Sequence, residues 1–124
     1  MQGRTQGKPV VLLVDDEPAV LGFMRMVLDR SGYAVLSACN GHEALEAARR
    51  YPGEIDLLVT DFQMPGIKGL ELYEAIIRER PGIRVLFVSG APAELRAAWP
   101  SPPLLEKPFG PSLLVSRVES LLAA

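Results

Sequence analysis

The chain has 124 residues, 48% apolar and 23% charged with no long run of one sign, which suits one compact domain around a single core. A formal net charge of -2 argues against the basic surface that phosphate-backbone binding needs, so no direct nucleic-acid contact is expected. No stretch reaches the roughly 18 to 20 continuous apolar residues of a bilayer span, so no membrane insertion is expected either.

The start, Met1 to Pro9, is polar and Gly-rich. It lacks the apolar middle of a signal peptide, and residues 1–8 are expected to be a flexible lead into a domain over 9–124. Val10 to Val14 is uninterruptedly apolar and β-branched, as in a strand buried on both faces. Asp15, Asp16 and Glu17 follow at once, and Pro18 suits the first turn of a helix. In that helix Val20, Phe23, Val27 and then Met24 and Leu28 recur at helical spacing, and Ser31-Gly32 ends it. A second strand is expected from about Tyr33 to Ala38. Cys39 beyond it cannot form an internal disulfide, which suits a reducing cytoplasm; its position predicts an inert thiol facing the core.

Asn40-Gly41 turns the chain into a second helix through about Arg50, and Pro52-Gly53 breaks it. His42, in that helix's first turn, reads as a solvated residue. A third strand is predicted over Ile55 to Thr60 with Asp61 at its end, followed by the loop Met64-Pro65-Gly66, in which Met64 packs the loop down. A third helix is predicted over Gly69 to Arg80 and a fourth strand over Arg84 to Val88, ending at Ser89-Gly90-Ala91. Pro92, Pro100, Pro102 and Pro103 confine a fourth helix to about Ala93 to Trp99, because proline inside a helix costs about 3 kcal/mol or more. Trp99 is expected to pack rather than to contact a partner. A short strand, Leu104 to Glu106, precedes Lys107-Pro108-Phe109, and Pro111 and Ser112 open a final helix with Leu114, Val118, Leu121 and Leu122 on one stripe.

Strands alternating with helices predict a parallel sheet covered on both faces. In such sheets sites collect outside the carboxyl ends of the strands. That rule gathers Asp15 and Asp16, Asp61, Ser89 and Lys107 along one edge. Clustered carboxylates repel, and a hard divalent cation resolves the repulsion. Mg²⁺ fits, because it typically takes one or two carboxylates plus phosphate oxygens. A carboxylate nucleophile, a cation and a lysine together describe phosphoryl transfer to an aspartate.

The segments "VVLLVDDEP", "NGHEALE", "DLLVTDFQMPGIKGLEL", "VLFVSG" and "EKPF" make the chain resemble the receiver domains of two-component response regulators, from about Lys8 to Ala124. The resemblance implies a flavodoxin-like doubly wound α/β fold with five parallel strands in the order 2-1-3-4-5. It implies that Asp61 is the phosphoacceptor and that Asp16 binds Mg²⁺ directly, with Asp15 assisting and the Gln63 backbone carbonyl as a further ligand. Lys107 would pair with the phosphoryl group, oriented by a cis bond to Pro108, and Ser89 would move to hydrogen-bond that group. The implied donor is a phosphohistidine on a sensor histidine kinase or a histidine phosphotransfer protein. The implied setting is cytoplasmic, with a weak homodimer left open.

Two features depart from the family. The switch position three residues before the lysine, commonly Tyr or Phe, is Leu104. The span from Ser89 to Lys107 is short and Pro-rich, more like receivers attached to hybrid sensor kinases. The alternative of a degenerate receiver that serves as a non-phosphorylated interaction module gains from these departures and loses because all five chemical positions are intact. An aspartate-based phosphohydrolase of the haloacid dehalogenase kind expects its second acid two residues after the nucleophile, whereas here the acids are adjacent. A dinucleotide domain expects a Gly-rich loop where Glu17-Pro18 stands.

Overall fold

A computed structural model describes residues 7–123. The expected flexible segment therefore lies, up to Gln6, outside the described residues. The elements are β1 (Val10–Val14), α1 (Pro18–Arg30), β2 (Ala34–Ala38), α2 (Gly41–Arg50), β3 (Leu57–Asp61), α3 (Gly69–Glu79), β4 (Arg84–Ser89), α4 (Ala93–Ala98), β5 (Leu104–Glu106) and α5 (Pro111–Ala123). All strand pairs are parallel and the sheet order is β2-β1-β3-β4-β5, the predicted doubly wound α/β arrangement. Among the described residues no helix is long and apolar enough to cross a membrane.

The three central strands carry apolar runs, VVLLV, LLV and VLFV, that are buried because helices cover both of their faces. Successive side chains point to opposite faces, which splits the buried residues into two clusters. Val10, Leu12, Val14, Leu58, Val85 and Phe87 pack with Ala44 and Ala48 of α2, Leu72 and Ile76 of α3 and Leu95 of α4. Val11, Leu13, Leu57, Val59, Leu86 and Val88 pack with Met24 and Leu28 of α1 and Leu114 and Val118 of α5. The α1 stripe is therefore centred on Met24, Val27 and Leu28, while Val20 and Phe23 are half-buried. Phe23 instead meets Phe109, ring centroids 6.1 Å apart.

One boundary and one burial differ from expectation for physical reasons. Ile55 and Asp56 precede β3: the Asp56 carboxylate accepts the Val10 N–H at 2.7 Å, tying this segment to β1 through a side chain. Cys39 is exposed rather than facing the core. Ala38 is buried, alternation sends the next side chain outward, and the Cys39 N–H is held by Glu43 Oε1 at 3.0 Å as the chain enters α2. Asn40 caps that helix, accepting the Glu43 N–H at 2.9 Å.

The proline-bounded α4 has the predicted short length, and Trp99 ends it. The indole packs against Phe87 of β4, centroids 5.8 Å apart, and Tyr73 of α3, 6.1 Å apart, as the packing reading expected.

Candidate functional site

Four of the five strand ends deliver a polar residue to the same edge. β1 runs straight into Asp15 and Asp16, β3 terminates in Asp61, β4 in Ser89, and Lys107 follows β5 directly. Among the described residues Asp15, Asp16 and Asp61 form one group, with a carboxylate oxygen from each lying within 4.8 Å of the others. Asp15 is wholly buried and Asp61 nearly so, while Asp16 is exposed at the mouth. Lys107 Nζ closes the group as an ion pair, 3.2 Å from Asp15 Oδ2 and 3.6 Å from Asp61 Oδ2. The Lys107-Pro108 peptide is cis, as expected.

The electrostatics follow from this crowding. Burial first, and then the charge of Asp15, push the Asp61 carboxyl from its ordinary 3.8 up to about 6; Lys107 and the Gln63 N–H act in the opposite sense. Burial opposes the charge on Lys107, but the carboxylates of Asp61 and Asp15 outweigh it and hold the ammonium above its ordinary range. Asp15 Oδ1 accepts the Glu17 N–H at 2.9 Å. Asp15 Oδ2 is buried without a well-aligned hydrogen-bond donor. Among the described residues Asp15 Oδ2 is held by the Lys107 ammonium alone and faces two more carboxylates, and this all-oxygen donor set fits a hard divalent ion.

Ser89 is buried at the end of β4, and its hydroxyl accepts the Ala91 N–H at 3.0 Å, turned toward its own loop. The Ser89 carbonyl accepts the Lys107 N–H at 2.9 Å, so the hydroxyl and the ammonium share one backbone frame. Gln63 is exposed on the loop after Asp61, and Met64 is buried beneath it. Leu104 lies in the first core cluster, opposite Phe87 in the ladder. His42 is exposed in the first turn of α2, outside the acidic group.

Two residues went unnoticed in the sequence. Glu17 reaches Lys107 Nζ at 3.2 Å as a third carboxylate partner of that ammonium, at the mouth; its only mark is that it follows the acidic pair. Gly69 lies against the backbone of Asp61, where a Cβ would stand 2.5 Å from the Asp61 carbonyl oxygen and 2.9 Å from Phe62 Cα. A glycine at a helix start carries no such signal by itself.

Sheet order and site together define a class: doubly wound α/β domains whose chemistry lies at the carboxyl ends of the central strands. Residues 11–119 match the response regulator receiver domain family, and the chain belongs to it. Accepting a phosphoryl group in two-component signalling is that family's general function. The chain is 36% identical over 126 residues to sensor kinase CckA of Brucella abortus (strain 2308), covering 94% of this chain and 13% of the relative. It is 33% identical over 116 residues to transcriptional regulatory protein ResD of Bacillus subtilis (strain 168), covering 90% of this chain and 47% of that one. The chain thus spans about half or less of these relatives. Among solved structures it is similar to a response regulator receiver domain protein (CheY-like) from Methanospirillum hungatei JF-1, at 26% identity and TM-score 0.83, covering 94% of this chain and 95% of the other. A response regulator receiver protein from Sinorhizobium medicae WSM419 gives 28% identity and TM-score 0.83, covering 94% and 96%.

Proposed function

We propose that this chain takes up a phosphoryl group on Asp61 from a phosphohistidine of a sensor histidine kinase or a histidine phosphotransfer protein. The observation that carries the reading is the group formed by Asp15, Asp16 and Asp61 with Lys107 Nζ 3.2 to 3.6 Å from two of its members. An Asp61 carboxylate oxygen attacks phosphorus, the P–N bond breaks, and its electron pair returns to the imidazole. Asp15 and Asp16, with Asp61 and the Gln63 backbone carbonyl, would hold Mg²⁺. When bound, the ion supplies positive charge against the phosphoryl oxygens. Lys107 pairs with the same oxygens. Ser89 turns from the Ala91 N–H to donate its hydroxyl proton to the phosphoryl group.

The domain is proposed to span 9–124 and to act in the cytoplasm, either relaying phosphate within a hybrid kinase system or switching its own surface. A second reading, an interaction module without phosphorylation, is favoured by Leu104, which places an aliphatic side chain where the family commonly has an aromatic lever.

Incubation with acetyl phosphate and Mg²⁺ followed by mass spectrometry of the intact protein separates the two. The expected result is one added phosphoryl group in wild type and none in Asp61→Asn. An unmodified wild type would favour the interaction module.

A further inference from the structure

Lys107 has one more acidic partner than chemistry at Asp61 calls for. Its ammonium lies 3.2 Å from both Asp15 Oδ2 and Glu17 Oε1, closer than the 3.6 Å to Asp61 Oδ2. Glu17 Oε1 also accepts a hydrogen bond from it. Glu17 lies outside the three-carboxylate group, at the mouth, with its side chain 62% exposed against 20% for Lys107.

The local backbone explains how Glu17 comes to stand there. It is the N-cap residue of α1, in an extended conformation, and its side chain makes no bond to the helix it caps. Short side chains such as Asp or Ser cap best because they reach back to the second or third helical N–H. A glutamate forgoes that role and projects its carboxylate over the strand ends. The hydrogen bond from its N–H to Asp15 Oδ1 fixes the start of that projection to the buried acid itself.

We propose that Glu17 is a positioning residue that draws Lys107 toward the mouth in the resting site and must release it once Asp61 carries a phosphoryl group. This rests on the reading of Asp61 as the phosphoacceptor. An interaction made in the resting state and given up in the modified one opposes the modification by its own strength. Because the contact is largely solvent-exposed, its effect is modest, roughly two- to fivefold.

The test is the apparent dissociation constant for beryllofluoride at saturating Mg²⁺, read from the bound ¹⁹F signal by NMR. Glu17→Gln removes the charge at constant size and should bind about two- to fivefold more tightly than wild type. Glu17→Asp keeps the charge but is one methylene too short for the contact, and it should show the same gain. A Glu17→Gln constant equal to or weaker than wild type would overturn the proposal. So would a gain confined to Glu17→Gln, because general charge and not the Lys107 contact would then be responsible. Wild-type protein that takes up no beryllofluoride would overturn the reading of Asp61 as well. Uptake by wild type with an unmoved Glu17→Gln constant would overturn the role of Glu17 alone.

Discussion

At Asp61 burial and the neighbouring Asp15 oppose ionisation, and Lys107 recovers part of the loss. A folded-state carboxyl at about 6, above its ordinary 3.8, makes the folded state bind more protons than the unfolded chain between those values. The associated stability is fully present below 3.8 and is lost as pH rises through 6. At about 1.36 kcal/mol per pKa unit, the interval corresponds to at most roughly 3 kcal/mol. Urea denaturation without metal should therefore find Asp61→Asn more stable than wild type at pH 7.5, by roughly 1–3 kcal/mol. That gap should close as pH falls toward 4. Protons and Mg²⁺ compete for the same carboxylate, so Mg²⁺ affinity measured by calorimetry should weaken from pH 7.5 to pH 5.

At the scale of elements, the site depends on joints that bring distant backbone together. The Arg80 guanidinium, just past α3, donates to the carbonyls of Ala48, Tyr51 and Gly53, satisfying the end of α2 and its following turn. Removing a charged donor from several such acceptors costs about 1.5–3 kcal/mol, and Arg80→Ala should lose about that much in chemical denaturation. Gly69 lets α3 begin against β3. Gly69→Ala should cost roughly 1–3 kcal/mol by overpacking and should also reduce phosphoryl uptake, because the nearest clash is with the Asp61 carbonyl. β1, β3, β4 and β5 were legible because their apolar runs lead to acids, Ser89 or Lys107, and α4 because prolines bracket it. Arg80, Gly69 and Glu17 were not. Their partners lie far along the chain or on the next element, and neither spacing nor periodicity encodes a contact across 90 residues such as Glu17 to Lys107. The Cys39 error came from treating a strand end as buried without following the alternation one residue further.

At the scale of the molecule, two cores on opposite sheet faces hold five strand ends in register, and the acidic edge is the element of the fold that is costly in isolation. A ligand that binds only the folded state adds stability in proportion to the logarithm of its concentration over its dissociation constant. Mg²⁺ should thus raise the unfolding temperature of wild type, EDTA should reverse it, and Asp61→Asn should show a smaller rise. Leu104 stands opposite Phe87 in the β4–β5 ladder, and Phe87 in turn meets the rings of Tyr73 and Trp99, the chain's single tryptophan.

The residue that carries the phosphoryl group can be identified chemically. After phosphoryl transfer from acetyl phosphate with Mg²⁺, borohydride reduces an acyl phosphate to the alcohol, converting an aspartate to homoserine. Tandem mass spectrometry of the digested protein should place homoserine at position 61 alone. Homoserine at position 15 or 16, phosphate retained on His42, or no modified peptide in fully folded protein would contradict the account.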